Sequence, residues 1–572
     1  MPPTKESQKN HVTYMHTVSE AGRLLPSSSR WNSISLDFNL TPKSSASYES
    51  IPSQYPKSVD CNLVITDKKH FHIFITVTVA IFFAIIAVAL LVHFLPQKHK
   101  HQDSSINLKL AINQALTFYD AQKSGNYPKN SPVKYRGDSG LNDGNQAKTN
   151  LIGGYYDSGN NIKFTFTTAY TMTLLSWSAM EYQTKYANID ELDHVGSTIS
   201  TDNEQNDISC WQRPEDMSYA RPVSFCDGSA TDLAAEIVAA LSSSSMVLKE
   251  DKDYSEKLVQ AAENIYEAVT KEDPKKQGTY TSVDGCGKQA RMLYNSSSYK
   301  DELAWGATWL FLATKETRYL ANATEFFLSA KSDETNLDKA VFYWNNKLNA
   351  VAVLLSGIRY FRDPGFPYED VLKLSSNSTH SLMCSYLFKK YMSRTPGGLI
   401  IPKPENGPLL QYAATASFLS KLYSDYIDHL KISGASCETD EFSVAMLRDF
   451  ASSQVNYIVG KNPMKMSYLV GYGDRFPVHV HHRSASIPWD KRSYNCDNGK
   501  TWLNSKNPNP QVLLGAMVGG PDTNDNFIDQ RSNQRFNEPT IASNAGLVAA
   551  LVALHDLPNN SDGLKNSLWE WT

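Results

Sequence analysis

What this 572-residue chain lacks narrows its class before any motif is read. It has no basic block of the kind that tracks a phosphate backbone: 55 Lys and Arg stand against 59 Asp and Glu, a formal charge of −4, so nucleic acid is not an expected partner. It carries neither a P-loop nor a dinucleotide fingerprint, and no organic cofactor is implied. Its seven cysteines include no CxxC pair, which removes the usual zinc signatures. Alternating β-branched runs joined by hairpin turns are scarce, which argues against a sandwich or β-barrel. One stretch, Phe71 to Leu95, lacks Asp, Glu, Lys and Arg altogether.

That apolar run exceeds the roughly 20 residues needed to cross a bilayer and predicts a transmembrane helix over 70–95. About seventy polar residues precede it, which fits an uncleaved signal anchor better than a cleaved signal peptide. Flanking charge does not orient it, because Lys57, Lys68 and Lys69 on one side balance Lys98, Lys100 and Lys109 on the other. Two other features do. Sequons at Asn295, Asn322, Asn377 and Asn559, and the cysteines Cys210, Cys226, Cys286, Cys384, Cys437 and Cys496, all follow the run, which predicts a lumenal or extracellular C-terminal part. Asn39-Leu-Thr in the first segment is read as a chance sequon. One or two disulfides are expected among the six cysteines. The predicted organisation is a flexible cytosolic tail over 1–69, the anchor over 70–95, a basic stalk over 96–106, one large domain over 107–557 and a C-terminal tail over 558–572. This organisation predicts a single-pass type II membrane protein, expected at the plasma membrane or in Golgi or endosomal membranes.

Within the large domain, helical periodicity dominates. Leu233, Ile237, Val238 and Leu241 share one face, Phe418, Leu419, Leu422, Tyr423 and Tyr426 another, and Leu547, Val548, Leu551, Val552 and Leu554 a third. The predicted class is all-α, with chemistry-bearing residues on the Gly- and Pro-containing loops between helices. Three loops stand out. Gly153 to Lys163 presents Asp157 and Asn160 from a tight glycine-bearing turn. Val478-His-Val-His-His-Arg483 offers His479, His481 and the planar fork of Arg483; its His alternation is a weak metal signal. Gly520 to Pro539 gathers Asp522, Asp525, Asp529 and Glu538, a composition compatible with a solvated loop or with calcium, although no recognised calcium spacing is present.

These loops occur in order with Asp120-Ala-Gln-Lys-Ser-Gly125, Arg136-Gly-Asp-Ser-Gly-Leu141, Trp211-Gln-Arg-Pro-Glu-Asp-Met217, Asp301-Glu-Leu-Ala-Trp-Gly306, Gly397-Gly-Leu-Ile400, Leu447-Arg-Asp-Phe450, Gly460-Lys-Asn-Pro463 and Asn544-Ala-Gly-Leu-Val-Ala-Ala-Leu551. Taken together they resemble glycoside hydrolase family nine, and within it the plant KORRIGAN-type membrane-anchored endo-β-1,4-glucanases, from Asn107 to Leu557. The resemblance implies an (α/α)6 barrel and inverting hydrolysis of internal β-1,4 bonds in cellulose-like glucans during cell-wall assembly. In that chemistry one carboxylic acid protonates the leaving oxygen while a carboxylate activates water. By motif, Glu538 is implied as the general acid, Asp529 as an assisting acid, and His481 with Arg483 as the pair binding the sugar beside the cleaved bond. Asp157 matches the first aspartate of the family's Asp-Ala-Gly-Asp loop. Trp211 and Trp344 are candidate sugar platforms; Trp309, on an apolar helix, is read equally well as core.

Three departures qualify that expectation. The second aspartate of the loop, usually assigned as base, is Asn160 here, and an amide is far too weak a base near neutral pH. Asp157 then becomes the remaining candidate base, and a catalytically impaired glucan-binding protein associated with cellulose-synthesising machinery becomes the alternative function. The aromatic residue expected four positions before Glu538 is Gln534, which is expected to loosen the acid's packing. Between Tyr186 and Cys210 a family helix is replaced by a polar stretch, and Ile208 stands where the family commonly has His; the barrel is expected to lack one helix.

Overall fold

A computed structural model describes residues 15–18, 59–62, 69, 72–73, 76–77, 106–188, 209–287, 289–335, 339–403, 407–556 and 567–569. The chain divides into two units, Met1–Ser105 and Ile106–Thr572. The first unit contains an antiparallel pair, Met15–Val18 with Val59–Asn62, in a segment where the sequence predicts no regular structure. Most of the apolar run 70–95 lies outside the described residues. Lys69, His72, Ile73, Thr76 and Val77 are helical, and no helix among the described residues is long and apolar enough to cross a membrane.

The second unit is built from eleven long helices: α1 Leu108–Gln122, α2 Thr165–Glu181, α3 Thr231–Val247, α4 Lys252–Thr270, α5 Lys300–Thr314, α6 Thr317–Asp333, α7 Leu348–Arg362, α8 Glu369–Leu387, α9 Leu409–His429, α10 Val444–Ile458 and α11 Ile541–Leu554. Polar side chains start several of them by accepting from otherwise unpaired backbone N–H groups: Asn107 from Leu110, Asp251 from Tyr254, Ser443 from Met446 and Thr540 from Ser543. Helices α2, α3, α5, α7, α9 and α11 form an inner ring closed by α11 against α2, while α1, α4, α6, α8 and α10 pack outside it. Five outer partners to six inner helices leave one outer position unfilled among the described residues. It falls between α2 and α3, where residues 189–208 are not described; the expectation about Tyr186–Cys210, Ile208 included, lies largely outside what the structure describes.

Layer position explains the composition of each helix. Outer α4 is amphipathic and buries Ala262, Tyr266 and Val269 on one stripe. Inner α2 and α5 are buried almost all round, so their sequences are apolar or small-polar without a clear period. On α3 the expected stripe is only part of the packed face: Ile237 and Leu241 are half-buried, whereas Ala235, Ala239 and Ala240 are fully buried. Small residues win there because α5 approaches closely; a Cβ on Gly306 would stand 2.8 Å from the Ala235 carbonyl oxygen. Trp177, Trp305 and Trp309 meet edge to face in the barrel centre, which places Trp309 in the core.

Two features depart from the expected boundaries and staples. Three disulfides form, Cys210–Cys496, Cys226–Cys286 and Cys384–Cys437, where the sequence predicts one or two; pairing needs Cα atoms brought within about 7 Å by the fold, which wide sequence spacing conceals. The expected C-terminal tail is in part core. Ser567, Leu568 and Trp569 are buried: the Trp569 ring stacks on Phe361 at 5.2 Å and its carbonyl accepts from Arg362.

Candidate active site

A groove of about 1020 Å³ opens at one end of the barrel. Its lining includes Tyr294, Tyr343 and Trp344, Gly519, Asn533, Gln534, Arg535 and Glu538, and Ser158 and Asn160. Glu538 is the one carboxylate lining it among the described residues. Trp344 is half-buried and held edge-on by Tyr294 at 4.9 Å and Tyr343 at 5.4 Å, leaving a rigid aromatic surface of the kind pyranose faces cover. Its backbone oxygen accepts from Lys347, whose ammonium is buried between Glu236 at 2.8 Å and Glu302 at 2.9 Å. A fully buried ion cluster thus fixes the platform from below.

Glu538 follows the short helix Gln534–Asn537 and receives three hydrogen bonds. Ser158 Oγ at 2.8 Å and the Gly159 N–H at 3.1 Å donate to Oε1, and Gln534 Nε2 donates to Oε2 at 2.8 Å. Gln534 therefore does not loosen the acid; one helical turn brings its amide to the carboxylate and replaces aromatic packing with a donor.

The base position is tied into the same network. The Ile162 N–H donates to Asn160 Oδ1 at 2.8 Å. A backbone N–H can only donate, so the other amide atom is the nitrogen, and it donates to Ser158 Oγ at 2.6 Å. The chain Asn160 to Ser158 to Glu538 runs in one direction. Asp157 sits behind it, fully buried and not among the groove-lining residues. Thr167 donates to its Oδ1 at 2.5 Å and the Tyr294 hydroxyl to its Oδ2. Burial pushes its carboxyl up to about 7, against the lowering effect of those two hydrogen bonds. The expectation that Asp157 takes over as base meets a geometric obstacle: neither oxygen is presented to water in the groove.

The histidine strip lies behind the two loops and ties them together. The His481 N–H donates to the Asn537 oxygen and the Arg483 N–H to the Gly159 oxygen. Only glycine fits at 159, because a Cβ there would be 1.9 Å from the His481 carbonyl oxygen. His481 Nδ1 lies 2.7 Å from the Arg531 oxygen, and burial lowers its pKa. Asp529 accepts from the backbone N–H groups of Val478 and His479, with His479 Nδ1 at 3.2 Å.

The family model for glycosyl hydrolase family 9 matches residues 109–551. The chain belongs to glycosyl hydrolase family 9. Among its family 9 relatives, Endoglucanase 25 of Arabidopsis thaliana is 43% identical over 546 residues, covering 87% of this chain and 85% of the relative. Endoglucanase 10 of Oryza sativa subsp. japonica is 39% identical over 551 residues, covering 90% and 88%. The endoglucanase of the termite Nasutitermes takasagoensis superposes with a TM-score of 0.67 at 30% identity, covering 78% of this chain and 98% of that structure. The cellulase Cel9M of C. cellulolyticum in complex with cellobiose gives 0.63 at 27%, with the same coverages. The mostly helical barrel is the family 9 fold.

Of the residues singled out in the sequence, the family 9 groove brings together Glu538, Asn160, Trp344 and Asn295. It does not expose Asp157, Asp529, His481, Arg483 or Trp211 along its lining. Trp211 is corrected as a sugar platform: it is 4% exposed, its Nε1 donates to Ser486 at 2.9 Å, and its ring is covered by His481 and Arg483. Arg483, also buried, packs on that indole behind the groove. Asn377 is exposed, Asn322 is half-buried on α6 and Asn559 lies outside the described residues. Two carboxylates of the acidic loop are engaged by protein donors: Asp522 accepts from the neighbouring Asn524 and Asn526, and the buried Asp525 from Tyr457 and Gly397. No group of three or more potential metal ligands occurs among the described residues. Sequence reasoning missed Ser158 as a link, although it stands inside the quoted loop. Tyr294 and Tyr343 left no signal, since nothing in their local pattern separates groove from core.

Proposed function

We propose that this chain acts on internal β-1,4 bonds of a cellulose-like glucan by an inverting route in which Glu538 protonates the leaving oxygen and water attacks with weakened base assistance. The observation that carries this reading is the convergence on one groove of Glu538, held by three donors, and the Trp344 platform. The names and ligands of the endoglucanase and cellulase relatives support the substrate class. General-base help contributes about 10²–10⁴-fold, and turnover is reduced on that order relative to a site with a carboxylate at position 160. The test is reducing-end release from a soluble cellulose derivative by the full chain. Glu538→Gln should abolish it; release unchanged by that substitution would remove Glu538 from the mechanism.

A second reading, glucan binding without turnover beside cellulose-synthesising machinery, is favoured by two observations: Asn160 at the base position and the capped oxygens of Asp157. Under either reading we place the protein as a single-pass type II membrane protein, at the plasma membrane or in Golgi or endosomal membranes, contributing to cell-wall assembly. The uncharged run 70–95 supports the anchor. The three disulfides support an oxidising, non-cytosolic side for the barrel. Protease protection of the barrel in sealed microsomes tests the topology; a barrel digested without detergent would reverse it.

A further inference from the structure

The donors around Glu538 determine where its proton can sit. A carboxylate offers about four in-plane lone pairs, two on each oxygen. Oε1 receives Ser158 Oγ at 2.8 Å and the Gly159 N–H at 3.1 Å, so both of its sites are filled. Oε2 receives Gln534 Nε2 at 2.8 Å; the facing atom of that amide is its nitrogen, because a carboxylate oxygen only accepts. No other donor among the described residues reaches Glu538. One site is therefore open, and it is on Oε2. The local backbone brings the amide there: residues four apart on a helix face one another, and the Glu538 N–H closes the turn by donating to the Gln534 carbonyl oxygen at 2.9 Å.

We propose that Glu538 delivers its proton from Oε2, and that Gln534 is the positioning residue that confines the proton to the one open lone pair of that oxygen. This rests on the reading of Glu538 as the acid. In the step, a water oxygen bonds to the anomeric carbon as the glycosidic C–O bond breaks. The departing oxygen keeps the bonding pair and takes the Oε2 proton, the water's surplus proton passes to solvent, and Glu538 is left as a carboxylate that solvent reprotonates. With the amide removed, both lone pairs of Oε2 are open and the carboxyl is held at one oxygen only. The acid then spends time in orientations that do not present its proton to the leaving oxygen, and misplaced groups lose rate steeply. The device comes with this chain's own residue at 534, in place of the aromatic expected there.

The test compares two substrates of the full chain: cellotetraose, whose leaving oxygen needs a proton, and dinitrophenyl β-cellobioside, whose phenolate departs without one. Gln534 is exposed, so Gln534→Met and Gln534→Leu remove the donor without touching the core, and unchanged melting temperatures check the fold. Both variants should lower kcat on cellotetraose about 10- to 100-fold, with KM moved by less than about twofold. On the aryl cellobioside the loss should shrink to about twofold. Glu538→Gln should show the same contrast more steeply. An equal loss on both substrates, a loss carried mainly by KM, or no loss on cellotetraose overturns the proposal. If Glu538→Gln cleaves cellotetraose as fast as the native chain, the acid reading falls first; if Glu538→Gln shows the contrast and the Gln534 variants do not, this inference alone falls. A native chain that binds cellotetraose and cleaves neither substrate overturns both.

Discussion

The substitution Asn160→Asp tests the network at the groove floor more sharply than any single removal. Restoring a carboxylate at this position should restore base assistance, worth about 10²–10⁴-fold. In this chain, however, the position is not isolated. Asp at 160 keeps the bond from the Ile162 N–H, but its second oxygen faces Ser158 Oγ, which now receives a donor at 2.6 Å and itself donates to Glu538 at 2.8 Å. Once Glu538 has given its proton to the leaving oxygen, two carboxylates would compete for one hydroxyl hydrogen. The loser forgoes a charge-assisted hydrogen bond, about 1.5–3 kcal/mol, which is tenfold or more in rate if it falls on the reacting state. Asn160→Asp alone should therefore raise turnover only about 10- to 100-fold, and adding Ser158→Ala, which restores the Asp-Ala-Gly-Asp pattern, should raise it about tenfold further. The assay is initial-rate reducing-end release from hydroxyethylcellulose by the native chain and the single and double variants, with binding measured in parallel. If Asn160→Asp gives the full gain and Ser158→Ala adds nothing, the coupling through Ser158 is wrong. If every variant binds but none turns over, the missing base is not what limits the native chain.

Other consequences are accessible to simpler measurements. Gly159→Ala drives a Cβ to within 1.9 Å of a backbone oxygen, so the loop must shift; stability should fall by about 1–3 kcal/mol, with loss of glucan binding, read by denaturant melts and gel retardation. Trp569→Ala removes a 7% exposed ring packed against Phe361 and Tyr426 and should lower stability by about 3–5 kcal/mol; an unchanged melting temperature would show that the terminal segment is not part of the core. Burial pushes Glu181 up to about 8, despite hydrogen bonds from Tyr426 and Trp177. The folded chain thus holds a proton that the unfolded chain releases above the ordinary carboxyl range. Its contribution is fully present in acid and is lost as pH rises from the ordinary carboxyl range toward about 8, by up to ~1.4 kcal/mol per pH unit. Glu181→Gln should flatten that decline in a melting profile between pH ~5 and ~8; an equally steep profile would assign the decline to other groups.

Much of the fold was legible in the sequence because its determinants are local. The stripe from Phe418 to Tyr426 is buried, as its helical period requires, and the chemistry-bearing loops are the ones whose glycines, prolines and acids break that period. Likewise Glu538 and Asn160 reach the groove where the order of motifs implied. What the sequence does not contain is which side of a loop each residue faces. Asp157 and Asn160 differ by three positions in one turn, yet Asn160 lines the groove while Asp157 is sealed behind it by Thr167 and Tyr294, the latter 137 positions away. Trp211 and Trp344 are equivalent as letters; only packing under Arg483 hides one and packing over Lys347 presents the other. The disulfide pairings, the anchoring of Trp569 on α7 and the gathering of Ser158, Trp344 and Glu538 on one groove are all contacts between distant segments. Local periodicity fixes which face of a helix is apolar, but long-range contacts are set by how six inner helices close on one another, and that closure belongs to the tertiary structure alone.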